Sequence, residues 1–153
     1  MERIGYQDIP SGIFEKLLAL ESLANDSGLE MKLLEIIRLR VAQLNGCAYC
    51  VDMHHKELQY LGESDLRLYS LGVWKETDYY SEKEKVVLEF TEKLTKLNEE
   101  GISDVLFEAV SQHFDKKEIS FLTLAIAQIN TWTRLMRTFQ FTPGRYTVNR
   151  ASI

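Results

Sequence analysis

The sequence predicts an all-α fold, and three observations carry the prediction. Prolines stand only at positions 10 and 143, so the long stretch between them lacks the residue that most strongly breaks helices. Apolar residues recur there at three- and four-residue spacing, whereas period-two alternation is hard to find. Ser81 with Glu84 and Asp115 with Glu118 form capping-box patterns at the heads of two such runs.

A first helix is expected from about Ser11 to Asp26, carrying Phe14, Leu17, Leu18 and Leu20 and ending at Gly28. A second, Glu30 to Leu44, has Leu33, Leu34, Ile37, Val41 and Leu44 at helical spacing. It stops at Asn45-Gly46, a pair suited to a left-handed turn. A third runs from Cys47 to near Gly62. Ser64 or Asp65 then caps a short helix reaching Leu71, and Gly72-Val73-Trp74 reads as a loop. The Ser81 box opens a helix through Val86, Val87, Phe90 and Leu94 to about Leu97, and Ser103 or Asp104 opens another to about Phe114. The Asp115 box starts a long helix through Leu122, Ile126, Ile129 and Trp132 to Met136 or beyond. Being apolar round most of its circumference between Ile119 and Ile129, it reads as the central or interface helix. The tail from Phe141 to Ile153 is expected to be a loop or an arm against another subunit. With no linker, low-complexity segment or internal repeat, residues 1–153 read as a single helical domain.

Composition narrows the function. A chain of 153 residues, 45% hydrophobic and 27% charged, can bury a core without metal or disulfide staples. Eighteen basic residues against 23 acidic ones, net charge -5, argue against binding nucleic acid through its phosphates. The start Met1-Glu2-Arg3-Ile4-Gly5-Tyr6 lacks the apolar stretch of a secretory signal, so the expected location is cytoplasmic. The most apolar segment, Ile119 to Ile129, is too short to span a membrane, so no membrane partner is expected. In a reducing compartment, paired cysteines point to catalysis, redox sensing or metal binding before structural cross-linking.

The only two cysteines form Cys47-Ala48-Tyr49-Cys50, with His54 four residues further on and Glu35 on the preceding helix. On a helix Cys47, Cys50 and His54 occupy positions i, i+3 and i+7, a single stripe. Cα atoms three apart lie roughly 5 to 5.5 Å from each other, within disulfide range. If Asn45-Gly46 folds the second and third helices into a hairpin, Glu35 and His54 come within roughly 3 Å of the same level. A hydrogen bond that orients the imidazole is then open. The helix N-terminus favours a thiolate at Cys47, whereas the imidazole one turn away favours Cys50. A specific base outweighs a diffuse dipole, so Cys50 is taken as nucleophile and Cys47 as the resolving thiol. His55 points about 100° away and is left without a role.

The pattern Glu35, Cys47, Cys50, His54, within Asn45-Gly46-Cys47-Ala48-Tyr49-Cys50-Val51-Asp52-Met53-His54, resembles the active-site motif of the alkyl hydroperoxidase D (AhpD)-like group of the carboxymuconolactone decarboxylase superfamily. Ser81-Glu82-Lys83-Glu84 and Asn130-Thr131-Trp132-Thr133-Arg134 are similar to further family segments. The resemblance implies a helical fold around a hairpin carrying the cysteines, assembled as a homo-trimer or homo-hexamer. It also implies a thiol peroxidase without cofactor or metal. Cys50 attacks a hydroperoxide, Cys47 closes a disulfide, an external dithiol, lipoyl-linked in relatives, restores the pair, and Glu35 and His54 relay protons. One departure is Tyr49, where the best-known relatives carry a second histidine. A phenol of pKa about 10 is a poorer proton carrier than imidazole, so Tyr49 is a secondary site residue and weaker activity is expected.

Three rival readings stand beside this one. Cys47, Cys50, His54 and Glu35 are acceptable zinc ligands, although structural zinc usually sits in smaller domains. The superfamily's decarboxylase branch carries out ring chemistry, generally without the cysteine pair. A redox-sensing oligomer would use the same disulfide to switch an interface without significant turnover. Attachment of c-type haem needs histidine where Val51 stands.

Overall fold

The computed structural model describes residues 2–149. They form α1 (Ile13–Asn25), α2 (Met31–Leu44), α3 (Ala48–Tyr60), α4 (Asp65–Ser70), α5 (Glu82–Thr95), α6 (Asp104–Ser111) and α7 (Lys116–Phe139). Short 3-10 segments occupy Tyr6–Asp8 and Leu71–Glu76, and no strand occurs among the described residues. The fold class is all-α, as the sequence predicts. Helix starts follow the capping chemistry: Ser81 Oγ accepts from Glu84 N at 3.3 Å while Glu84 Oε2 accepts from Ser81 N at 2.8 Å. Asp115 and Glu118 make the same reciprocal pair at 2.8 Å in both directions.

One segment differs from expectation. Gly72-Val73-Trp74 is not a loop but part of the Leu71–Glu76 3-10 segment. The cause is Trp74, whose ring is buried against Leu68, Leu71 and Tyr80 while its Nε1 donates to Glu92 Oε1 at 2.8 Å. The described part of the C-terminal tail is a loop, within the expectation, and it lies along α3 of its own chain. Gly144 N donates to Asp52 Oδ2 at 3.0 Å, and Lys56 Nζ donates to the Gly144 and Tyr146 carbonyls at 3.3 and 2.9 Å. The expectation for residues 150–153 falls outside the described residues.

The site is positioned chiefly by α2, which packs against α3, α5 and α7. Leu33 through Leu39 are buried without interruption, so the continuously enclosed run lies in α2 rather than in α7. One face carries Leu34, Ile37 and Val41 into a cluster with Val87, Phe90, Leu122, Ile126 and Ile129. Another carries Ile36 and Leu39 into a cluster with Leu58, Leu71 and Trp74. Helix α7 runs past α1, α2, α3, α5 and α6 and closes the first cluster. Among the described residues no helix is long and apolar enough to cross a membrane.

Because Leu34 is fully buried at the junction of α2 with α5 and α7, Leu34→Ala should cost about 2–5 kcal/mol. Urea denaturation followed by circular dichroism checks this, and a loss below about 1 kcal/mol would mean that the cavity collapses.

Candidate functional site

The turn joining α2 to α3 is built so that a thiol begins the third helix. Cys47 N donates to Ala42 O at 2.9 Å and Gly46 N to Gln43 O at 3.1 Å, closing α2. Gly46 has φ 61°, the left-handed conformation that glycine adopts at no steric cost. Asn45 pins the turn to α7: its Nδ2 donates to Asn130 Oδ1 and Thr133 Oγ1, each at 2.9 Å, and its carbonyl accepts from Arg137 Nη1 at 2.9 Å. The Asn130–Arg134 segment therefore clamps the apex of the hairpin.

Cys47 is the N-cap of α3, just outside the helix, and its Sγ accepts from Cys50 N at 3.3 Å. The two sulfurs are joined in a disulfide with Cα atoms 5.3 Å apart, so the pair closes across a single helical turn. The two cysteines differ in what they face. Cys50 lines a cavity of about 220 Å³, whereas Cys47 is 1% exposed and packs beside Ala42 and Met136.

His54 lines the same cavity one turn beyond Cys50. Its Nδ1 is 2.7 Å from Glu35 Oε2 on α2, which leaves Nε2 as the uncommitted ring nitrogen. The other carboxylate oxygen, Glu35 Oε1, accepts from Arg38 Nη1 at 2.7 Å, and Arg38 Nη2 donates to Asn25 Oδ1 at 2.6 Å. All three charged or titratable side chains are buried. Burial pushes the Glu35 carboxyl up, but the charges and hydrogen bonds of His54 and Arg38 outweigh it and hold the group below the ordinary carboxylate range.

The cavity is walled mainly by apolar and aromatic groups. Phe14 of α1 packs on Trp132 of α7 with ring centroids 5.0 Å apart, and Phe141 meets Tyr49 edge-on at 5.7 Å. Met53 and Met136 complete the wall beside Cys50. Tyr49 sits in this wall, and burial, followed by the nearby Asp52 and Glu2 charges, raises its phenol pKa. Behind His54 lies a second cavity of about 240 Å³, lined by Glu35, Glu57 and Tyr146 among others.

The structure thus brings Cys50, Cys47, His54 and Glu35 together and places Tyr49 at the edge of the cavity. Arg38, Asn25 and the aromatic wall are absent from the sequence reading. Arg38 carried one signal: a cation within the apolar run from Ile36 to Leu39, three residues after Glu35. Phe14 and Phe141 carried none, because they meet only through tertiary packing. Among the described residues, no group of three or more His, Cys, Asp or Glu side chains is arranged to hold a metal ion.

The model of the carboxymuconolactone decarboxylase family matches residues 13–93, which include the whole α2–α3 hairpin. The uncharacterized protein YdfG of Bacillus subtilis (strain 168) is 35% identical over 134 residues, covering 88% of this chain and 91% of that one. A crystal structure of a protein of unknown function from Agrobacterium tumefaciens, assigned only provisionally as the antioxidant defence protein AhpD, superposes with a TM-score of 0.90. It is 37% identical and covers 95% of this chain and 100% of its own. The alkylhydroperoxidase AhpD core of an uncharacterized peroxidase-related protein from Ralstonia eutropha shares the fold at TM-score 0.77 and 22% identity, with 86% and 70% of the two chains covered.

The ion pairs at Glu35 set a direction for pH dependence. A carboxyl whose folded pKa is depressed adds stability that is complete above its unfolded pKa and is lost as pH falls through the folded value. The melting temperature should therefore drop on acidification through and below the ordinary carboxylate range, and Glu35→Gln should flatten that drop. Melting curves between neutral and strongly acidic pH check it, and identical slopes for both proteins would exclude Glu35 as a contributor.

Proposed function

The chain belongs to the carboxymuconolactone decarboxylase family, and from that premise we propose that it is a thiol-dependent peroxidase of the AhpD type. The observation that carries the reading is the Glu35–His54 bond of 2.7 Å held next to Cys50 in an apolar cavity. His54 Nε2 takes the Cys50 proton, and the thiolate attacks the outer oxygen of a hydroperoxide. The O–O bond breaks, the inner oxygen leaves as an alcohol with the proton returned by His54, and Cys50 becomes a sulfenic acid. Cys47 then attacks that sulfur, the disulfide forms and water leaves. An external dithiol, free or lipoyl-linked, donates two electrons and two protons to restore both thiols.

Each step of this reading falls to a group whose position suits it. A base contributes most when it lies within hydrogen-bond reach and is oriented by a third group, as His54 is by Glu35. The short N-cap contact between Cys47 and Cys50 keeps the resolving sulfur at hand, so closing the disulfide needs little chain motion. Tyr49 stands where a second proton carrier would act, and its raised pKa leaves His54 as the working base. We further propose a cytoplasmic setting, in which dithiols are kept reduced. Assembly as a homo-trimer or homo-hexamer is part of the same proposal, supported by apolar surface at Leu23, Val105 and Phe107.

Reduced protein treated with mild hydroperoxide should lose the mass of two hydrogens and both free thiols, with hydroperoxide consumed and the alcohol released. Cys50→Ser should abolish consumption, and Cys47→Ser should leave a trappable sulfenic acid on Cys50. His54→Ala should slow the thiol oxidation about 100-fold or more. Sulfenic acid appearing on Cys47 instead would reverse the two roles. Disulfide formation without turnover by dihydrolipoamide, thioredoxin or glutathione systems would favour a redox sensor.

A further inference from the structure

Arg38 is 1% exposed in the middle of α2, between Ile37 and Leu39. Its Nη1 donates to Glu35 Oε1 at 2.7 Å and its Nη2 to Asn25 Oδ1 at 2.6 Å, while its Nε has no protein partner. Stability is a poor reason for this arrangement. Replacing buried ion pairs by apolar groups of similar volume is often neutral or stabilising, because desolvation offsets the attraction. Helix α2 is otherwise filled with Leu and Ile at such positions.

Counting charge at the site gives a better reason. A carboxylate facing an imidazole alone would favour the ion pair of carboxylate and imidazolium, net zero, in a site of low dielectric. An imidazolium has no lone pair with which to accept a thiol proton. With Arg38 on the other oxygen the carboxylate is already balanced, and protonating His54 would leave the cluster at net +1 and buried. Glu35 can then orient His54 through Nδ1 without fixing an extra proton on the ring.

We propose that Arg38 is a positioning residue that reserves His54 in its unprotonated, proton-accepting form by occupying Glu35 Oε1, with Asn25 fixing the guanidinium from the end of α1. This rests on reading His54 as the base for Cys50. The other groups facing His54 make the counterweight necessary. Glu21 from α1, Glu57 and Tyr60 from α3 and Tyr146 from the tail line the cavity behind it. Tyr6, Tyr49 and again Glu21 lie on the side of Cys50, where α7 contributes only uncharged Ile129, Trp132 and Met136. Glu21 accepts from Gln128 Nε2 at 3.1 Å, and Glu57 pairs with the Tyr146 hydroxyl. These carboxylates place negative charge around His54, and Arg38 is the cation positioned to oppose it.

The test compares wild type, Arg38→Met and Arg38→Lys in the reduced form. The protonation of His54 is read across pH from imidazole nitrogen resonances without peroxide, alongside the pH profile of hydroperoxide consumption. In Arg38→Met the imidazolium share at neutral pH should rise severalfold, and the acid limb of the rate profile should move up by about one pH unit. Arg38→Lys should stay close to wild type in both. A resonance pattern unmoved in Arg38→Met, with only the melting temperature lowered, would make Arg38 purely structural and overturn the proposal. If Arg38→Met does not fold, Asn25→Leu, which frees the Nη2 end, should shift the imidazole in the same direction by less, and no shift would again overturn it. Because the resonances need no turnover, a shifted His54 in a protein that consumes no hydroperoxide supports this proposal while sinking the peroxidase reading.

Discussion

The architecture of the site depends on one constraint: the Glu35 carboxylate lies inside the most enclosed helix of the molecule and cannot be left there alone. An ionised carboxylate taken out of water is costly unless paired and hydrogen-bonded. Both of its oxygens are therefore engaged, Oε1 by Arg38 and Oε2 by His54. The second partner comes from α3, so satisfying Glu35 requires the α2–α3 hairpin to close in a single register. A one-residue slip in the turn would rotate His54 about 100° off the α2 side and strand the charge. The clamp of Asn45 on Asn130 and Thr133 fixes that register from α7, which ties the end of the hairpin to the main core.

The same constraint governs the chemistry. The wall of Phe14, Trp132, Met136 and Phe141 makes the surroundings of Cys50 largely apolar, and in such surroundings the pull of one charge on another is strong. Desolvation alone disfavours a thiolate, so a dry pocket without a base would hold an inert thiol. In the proposed mechanism the base is useful because the cavity wall is apolar, and the wall is tolerable because the base is present. Cys47, capping α3 just outside the helix, is buried beside Ala42 and Met136 and does not line the cavity.

Much of this was legible in the sequence because it is written in local spacing. The stripe of Cys47, Cys50 and His54 is a helical period, Asn45-Gly46 is a turn signature, and the boxes at Ser81 and Asp115 are chemistry between residues three apart. The level of Glu35 with His54 followed from counting residues on either side of that turn. What was missed depends on contacts distant in sequence. Gly72-Val73-Trp74 looked like a loop by composition, yet Trp74 is drawn in by Glu92, eighteen residues on. The tail reads as a loop, but nothing local shows that Asp52 and Lys56 hold it from about ninety residues away. The apolar period of the last helix marked it as central, while the continuous burial belongs to α2, whose Glu35 and Arg38 disguise it as amphipathic.

That disguise explains why charged residues in an enclosed helix are informative. By the hydrophobic pattern alone, Glu35 and Arg38 belong on a solvated face, where an i to i+3 pair adds only a few tenths of a kcal/mol. Inside the molecule the same two residues are a commitment, since removing Glu35 would leave the Arg38 guanidinium buried without its counter-charge. A fold that needed only stability would place leucine and isoleucine at both positions, as α2 does elsewhere along its length. The charges are retained where they touch His54, and His54 lines the cavity that holds Cys50. The buried pair is therefore best understood as part of the thiol site, reaching through the middle of the core to the one sulfur that faces the cavity.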